Sequence, residues 1–491
     1  MLLEFLAVVL VLFYLVRKVC MRRMVELAEQ IPGPKTLPFI GNGLEFGTNT
    51  KDVFRSVMRL MKRYPSISRY WLGDKLLIML VDREFIETVL SDFNNTLDKM
   101  YPYTYIKPWL GEGLITSTGW KWRKSRKLIT PTFHFTILQE FVDVFNTNAD
   151  ILVEILSKHA NGPEFDINDY ITLYALDSLC ETSMGVSIGA QVGGELEFVK
   201  AIRQMCDVFM ARCFNPFLYP EFVFRLTRHS KKQEKCLAIL NAFTDKVISE
   251  RRKRLLSESS EQYDDTDIKR RVPFLDLLLQ SEEGALLSDK DLRDEVNTMI
   301  FAGHDTTTSA LGFAFWNLAT HPDVQEKVMN ELQEIFGDTD RPATFRDLQT
   351  MTYLEQVIKE TLRLYPSVPV YGRKVKGDIR VGQYTIPGGA SVVISVGHLH
   401  RDPRYFPDPE KFDPDRFHPE NVRDRPLYSY IPFSSGPRNC VGQRYAMTMM
   451  KTVLSSVLRR YKLLPGDTPL KVVVEVMVKS LTGINIKLQL R

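Results

Sequence analysis

The stretch that constrains this 491-residue chain most is Phe433-Ser434-Ser435-Gly436-Pro437-Arg438-Asn439-Cys440-Val441-Gly442, which runs directly into a helical pattern from Gln443 to about Arg460. A loop that feeds a helix N-terminus puts Cys440 at the positive end of the helix dipole, and Arg438 adds positive potential, so both favour thiolate over thiol. That is the environment of a metal ligand. Gly436 and Gly442 let backbone approach a flat group closely, Phe433 can pack beside it, and Arg438 can answer a carboxylate on its rim. Taken alone, the same residues also describe a buried structural cysteine in a glycine-rich turn. With 44% hydrophobic and 25% charged positions, the chain has the means to bury a large core around such a loop.

The pattern F-x-x-G-x-R-x-C-x-G resembles the haem-binding signature of the cytochrome P450 family. The resemblance implies that Cys440 is the axial thiolate ligand of a haem iron, with Phe433, Gly436 and Arg438 against the haem. It implies a fold as well: a mostly α body with a smaller β-rich region, the haem between a long central helix and the cysteine loop, and an N-terminal membrane anchor.

Three further stretches gain meaning beside that loop. Trp120 to Lys127 sets two indoles among five cations, which by itself reads as a solvated basic helix face. Trp122 and Arg126 stand four apart on one helix face, and the family's W-x-x-x-R implies that both donate to a haem propionate. Lys121, Arg123, Lys124 and Lys127 then form a basic collar suited to an acidic electron donor. Ser288 with Asp291 signals a helix start, and the pattern runs to Thr320, roughly 30 residues or about 45 Å. In its middle, Ala302-Gly303-His304-Asp305-Thr306-Thr307 brings in small and polar residues. Small side chains leave room against a flat face, and a Thr hydroxyl bonded to a carbonyl opens the helical ladder; a Ser/Thr-rich patch packed on another helix is the alternative. The resemblance assigns proton delivery to Asp305 and Thr306. Finally, Glu360-Thr361-Leu362-Arg363 with Phe412 to Phe417 resembles the family's buried network, here Glu360, Arg363 and Arg416. Beyond it, Arg373 is expected at the other propionate.

Elsewhere, β-hairpins are expected over 67–81, over 381–396 around Pro387-Gly388-Gly389, and over 472–490 around Gly483. Residues 141–254 read as mainly helical and 250–271 as an exposed charged connector. The aromatic cluster Phe214 to Phe224 suits a membrane contact, a pocket lining or plain core. Pro108-Trp109-Leu110-Gly111-Glu112-Gly113-Leu114, Ala175-Leu176-Asp177, Cys180 to Val186 and Gly303 to Thr308 resemble the fatty-acid ω-hydroxylase clan, family four. Many of its members carry Glu where this chain has Ala302, a residue beside the haem. Without that carboxyl no ester to the haem can form, so noncovalent haem is expected.

At the N-terminus, the apolar run to Val16 followed by Arg17, Lys18, Arg22 and Arg23 reads as an uncleaved signal anchor, or else a buried core helix. The expected organisation is an anchor over 1–21, a basic and Pro-rich hinge over 22–45, and a haem-thiolate monooxygenase domain over 46–491. A net charge of +4 does not suggest a nucleic-acid partner, and six irregularly spaced cysteines suit a cytosol-facing body, here on the endoplasmic reticulum. The resemblance implies NADPH-cytochrome P450 reductase as electron donor, leaves cytochrome b5 open as a second, and points to membrane lipid and an apolar substrate such as a fatty acid or foreign compound. A haem-thiolate isomerase or dehydratase acting on peroxides, and a noncatalytic haem-binding protein, are the competing readings.

Overall fold

The computed structural model describes residues 19, 21–38, 40–46, 50–193, 196–258, 273–280 and 287–491. In chain order, the helices that shape the site are α1 (Arg22–Glu29), α2 (Gly119–Ile129), α3 (Phe135–Leu156), α4 (Asn168–Leu179), α5 (Leu196–Phe214), α6 (Arg228–Glu258), α7 (Asp289–Thr320), α8 (Thr352–Leu364) and α9 (Gln443–Arg460). The strands are β1 (Ile67–Leu72), β2 (Lys75–Leu80), β3 (Phe165–Asp166), β4 (Val370–Lys374), β5 (Ile379–Val381), β6 (Tyr384–Ile386), β7 (Ser391–Ser395), β8 (Tyr461–Pro465), β9 (Val472–Val474), β10 (Val478–Ser480) and β11 (Asn485–Leu490).

The Ser288 signal is realised, since its hydroxyl accepts from the Asp291 amide at 3.1 Å and returns a hydrogen bond to Asp291 Oδ2 at 2.7 Å. The helix it starts, α7, has 32 residues and so spans about 48 Å. Its apolar residues, Leu292, Val296, Ile300, Ala310, Ala314 and Leu318 among them, are buried on helical spacing, and it packs against α4, α6, α8 and α9.

The main sheet has the order β1-β2-β7-β4, with β2 and β7 parallel and the other pairs antiparallel. The hairpin expected over 67–81 forms, with Leu72 opposite Lys75. Two expected hairpins do not form as drawn. The turn in 381–396 lies at Gly382, where φ is +55° and β5 reverses into β6. Pro387-Gly388-Gly389 instead releases the chain, and the apolar β7 is buried between β2 and β4. At the C-terminus the reversal falls between β9 and β10. Gly483, at φ +80° and with no room for a Cβ against Asp166, routes β11 away to lie between β3 and β8. Period-two patterning marks a strand but not its partner.

Residues 22–45 begin as α1 and then run beside the sheet. The Arg69 amide donates to Pro32 O at 2.8 Å and the Asn42 amide to Trp71 O at 2.5 Å. A Cβ on Gly41 would sit 2.2 Å from Trp71 O, so the φ of +64° and the close approach both require glycine there. The charged stretch 250–271 is helical as far as Glu258, because the buried Arg251 pairs with Asp276 at 2.5 and 2.6 Å; residues 259–272 lie outside the described residues. So does the anchor expected over 1–21, apart from Val19 and Met21. No helix among the described residues is long and apolar enough to cross a membrane. In the 214–224 cluster, Leu218 and Phe224 are buried while Phe217 and Phe222 are exposed.

The Glu360 network closes as expected. Arg363 grips Glu360 through Nε (2.7 Å) and Nη2 (2.8 Å), and it donates to the carbonyls of His400, Pro409 and Lys411. Asp413 N donates to Glu360 Oε1 at 2.8 Å, and Arg416 Nε stands 3.5 Å away. Both members of the central pair are fully buried, so removing one strands the other's charge. Glu360→Ala is expected to lose ~3–5 kcal/mol of stability, read by denaturant unfolding, together with haem retention.

Candidate active site

The cysteine loop is held by its own backbone. Cys440 N donates to Phe433 O at 2.8 Å and Asn439 N to Gly436 O at 3.0 Å, while Ser434 adopts φ +60°. Gly436, at φ +72°, would place a Cβ 2.6 Å from Leu90 O, so the turn's packing against α-helical residue Leu90 is what demands glycine. Phe433 packs on the main core. Cys440 keeps accessible surface, but crowding by protein atoms desolvates its sulfur and pushes the thiol up; the Gly442 amide and the Arg126 charge oppose this. The helix-end argument thus identifies a real contribution, the arginine that contributes is Arg126 and not Arg438, and desolvation outweighs both. A metal cation at the sulfur would supply the positive charge that a thiolate needs there.

Around the loop the chain gathers cations. Arg126 donates to Asn439 O and Asn439 Oδ1, both at 2.7 Å. Arg438 donates to the carbonyls of Leu97 (2.9 Å), Leu114 (3.2 Å) and Ser117 (2.5 Å), and its guanidinium lies 4.3 Å over the buried Trp122 ring. Arg373, buried on β4, reaches Gly372 O at 3.2 Å and Ser434 Oγ at 3.4 Å. Burial lowers Arg438 to about 9, with Arg373 and Arg126 adding repulsion. Lys99, 4.7 Å over the Tyr103 ring, is driven well down by burial and by Arg373 and Arg438. Among the described residues no carboxylate lies within ion-pair distance of Arg126, Arg373, Arg438 or Lys99; the neighbouring Asp98 pairs with Lys376 at 3.2 Å. The donor set therefore fits a prosthetic group that carries carboxylates on its rim. Lys99 is an addition that its isolated position in the sequence did not signal.

From Asp294 to Phe315, α7 is buried except at Ala302, Gly303 and Thr306, which form one accessible stripe. The Thr306 hydroxyl donates to Ala302 O and that of Thr307 to Gly303 O, both at 2.7 Å. The helix nevertheless stays α-helical throughout, so the expected opening of the ladder is not observed. Gly303 is small for a different reason than room against a flat face: a Cβ there would lie 2.7 Å from the Leu179 methyls of α4. His304 Nδ1 donates to Ile300 O at 2.6 Å, and the ring is buried.

One turn from its start, α7 also holds the loop before α2. Asp294 accepts from Glu112 N and Glu295 from Leu114 N, both at 2.9 Å. Gly111 and Gly113 have no room for a Cβ against Asp294 and Thr298. Since Leu114 O accepts from Arg438, two carboxylates of α7 reach the cysteine loop through this segment. Neither was evident from spacing alone. Lys121, expected in the basic collar, instead pairs with Asp291 at 2.6 Å.

A mostly helical body that rings a loop cysteine with cations lacking anions of their own is the arrangement of an enzyme that holds an anionic prosthetic group. The chain belongs to the cytochrome P450 family, whose sequence model matches residues 31–485. It is 40% identical over 483 residues to Cytochrome P450 4c3 of Drosophila melanogaster, covering 95% of this chain and 90% of that protein. It is 43% identical over 436 residues to Cytochrome P450 4V2 of Homo sapiens, with 87% and 83% covered, and 43% identical over 442 residues to Cytochrome P450 4c21 of Blattella germanica, with 89% and 88% covered. These relatives are members of family four. The chain is accordingly a haem monooxygenase, and its iron protoporphyrin IX is bound noncovalently.

Burial raises Glu295 from 4.5 to about 7. Between those values the unfolded chain ionises while the folded chain keeps its proton, so stability falls as pH rises through that window, by roughly 3 kcal/mol in all. Glu295→Gln is expected to remove this fall, checked by comparing unfolding of both proteins at pH 5 and pH 7.5.

Proposed function

We propose that the protein is a membrane-bound monooxygenase that places one oxygen atom from dioxygen into an apolar substrate, a fatty acid or related lipid or a foreign compound. Electrons would come from NADPH through a reductase, with cytochrome b5 as a second donor docking on the same face. The observation that carries the reading is the ring of cations around Cys440 that have no carboxylate at ion-pair distance among the described residues. Cys440 would ligate the iron, and Arg373, Arg438, Arg126 and Trp122, with Lys99, would hold the two propionates. Phe433 and Gly436 hold the loop beneath them. Bound haem supplies the iron that activates dioxygen.

The chain's own part is to exclude water and to move protons. Thr306 Oγ1 lies on the accessible stripe of α7, its proton shared with Ala302 O, so its lone pairs can accept from an acid or a water. Asp305, one residue back and mostly buried, is the proposed acid: its carboxyl gives a proton toward Thr306 and is recharged from solvent. Ala302 offers no carboxyl for an ester bond, in keeping with noncovalent haem. The outer face of α2 supports docking of an acidic reductase, because Arg123 and Lys127 are exposed there and Trp120 is exposed on the same helix. The apolar, then basic, N-terminal sequence supports an anchor in the endoplasmic reticulum membrane, with the exposed Phe217 and Phe222 as a second apolar contact.

Cys440→Ser is expected to abolish the red-shifted Soret band of the reduced, carbon-monoxide-treated protein, and an unchanged band would refute the ligand assignment. Thr306→Ala is expected to keep NADPH and oxygen uptake while product falls by on the order of 10-fold or more. Mass spectrometry of a lipid panel incubated with reductase names the substrate. Product formed from peroxides without NADPH would favour the isomerase class instead.

A further inference from the structure

Near the end of α5, Arg212 is a buried cation held between rings. Its guanidinium lies 4.4 Å from the centre of the Tyr105 ring and 3.8 Å from that of Phe224, and its side chain is 4% exposed. Among the described residues one carboxylate reaches it: Glu221, on the short helix Glu221–Arg225, accepts from Nη2 at 2.9 Å. Nε, on the same edge of the guanidinium, is buried and has no hydrogen-bond partner there. The structural pairs of this protein are built differently, since Arg363 on Glu360 (2.7 and 2.8 Å) and Arg251 on Asp276 (2.5 and 2.6 Å) fill both Nε and Nη2 with one carboxylate. Beside Arg212, Tyr101 and Tyr105 share one hydroxyl hydrogen bond, which leaves the second phenolic proton of the pair without an acceptor among the described residues. Tyr219 stacks on Tyr105 at 5.9 Å and donates its own hydroxyl to Cys213 O at 2.9 Å. Burial keeps Tyr105, Tyr219 and the Cys213 thiol protonated, so none of them answers the arginine's charge.

This nest lies on the elements that border the accessible stripe of α7. Six residues of α5, about 9 Å, separate Arg212 from Cys206, whose thiol is raised by burial and then by the charge of Asp305. The segment carrying Tyr105 continues to Trp109, whose ring packs 4.8 Å from that of Phe301, the residue before Ala302, and whose carbonyl accepts from Asn297 at 3.2 Å. Glu221 is held more loosely than the cation it covers: its side chain is 57% exposed and has a second partner in Arg225 at 3.5 Å. Withdrawing Glu221 leaves a solvated, still paired carboxylate on one side and a buried, unanswered guanidinium on the other. Another anion must then take its place, because a buried charge without a partner is far costlier than a solvated one.

We propose that Arg212, with the Tyr101–Tyr105 pair, binds the carboxylate of an anionic lipid substrate, and that Glu221 is the resident carboxylate which the substrate displaces. This rests on the lipid-oxidising reading above and narrows the substrate from apolar compounds in general to those with one acidic end. A carboxylate seated on the Nε and Nη2 edge makes two parallel charge-assisted hydrogen bonds where Glu221 makes one, and its oxygens also accept the spare phenolic proton. Charge is conserved in the exchange, since one carboxylate replaces another on Arg212 and Glu221 stays with Arg225. A neutral compound brings no anion to the guanidinium and leaves Glu221 in place. The rings of Tyr105 and Phe224 receive the first methylenes of the chain.

The test is calorimetric titration of the holoenzyme with laurate and with methyl laurate, which share a chain and differ in charge. The wild type is expected to bind the acid about 10- to 100-fold more tightly than the ester, the difference that hydrogen bonds to a charged group command. In Arg212→Met that ratio is expected to fall close to one, and in Glu221→Gln to rise by about 5-fold, because the resident competitor loses its charge. The carbon-monoxide spectrum reports whether Arg212→Met is folded; where it is lost, the ratio in Glu221→Gln decides. A wild-type ratio near one, a ratio untouched by Arg212→Met, or one that does not rise in Glu221→Gln overturns the proposal. Product assays with reductase and NADPH separate it from the reading it rests on. Tight, Arg212-dependent binding of laurate with no oxidised product would overturn the lipid-oxidising reading and leave the anion site standing, whereas equal kcat/KM for acid and ester would keep that reading and overturn the anion site.

Discussion

Positive charge with no ion-paired carboxylate among the described residues governs the region around Cys440. Desolvating a guanidinium or an ammonium costs several kcal/mol even after relaxation, yet Arg373 is buried, Arg438 is half-buried, and Arg373 lies close enough to lower the proton affinity of Arg438. Backbone carbonyls offset part of that cost for Arg438, and the Trp122 ring offsets more through its face. Carboxylates on a bound porphyrin would complete the balance, so haem binding and folding of this region draw on the same free energy. The thiol follows the same logic, since desolvation opposes its ionisation until a metal shares the site.

The long helix α7 ties the parts together through carboxylates spaced along it. Asp291 holds Lys121 of α2; Asp294 and Glu295 hold the amides of residues 112 and 114, whose neighbouring carbonyl receives Arg438. Farther along, Asp305 and Ser309 meet the β9–β10 hairpin. Between these attachments lies the accessible stripe of Ala302, Gly303 and Thr306. A single rigid rod therefore sets the cysteine loop, the proposed proton donors and the hairpin in one frame, which is how short-range chemistry is held in register without a dedicated scaffold.

Closely packed glycines show how the same residue type serves different ends. Gly303 admits Leu179, Gly436 admits the Leu90 carbonyl, and Gly111 and Gly113 admit Asp294 and Thr298. In their motifs Gly303 and Gly436 look like clearance for a cofactor. In the folded chain each is clearance for another piece of protein, because closely packed interiors leave no space for even one added methyl group.

The sequence by itself determined the local features: the Ser288 cap and the length of α7, the turn joining β1 to β2, the Glu360-Arg363 pair three apart on a helix, and the cysteine loop whose spacing carries the family resemblance. These are settled by neighbours within a few residues, so their signals survive in one dimension. Only the tertiary structure decided which strands join β7 and β11, that α6 continues past Glu250 because Arg251 finds Asp276, that Lys121 belongs to Asp291, and that Lys99 and Lys479 stand beside Arg438 and Asp305. Those outcomes depend on charges and surfaces brought together from distant parts of the chain, where Coulomb attraction and close packing act on proximity in space and leave no periodic trace in the order of residues.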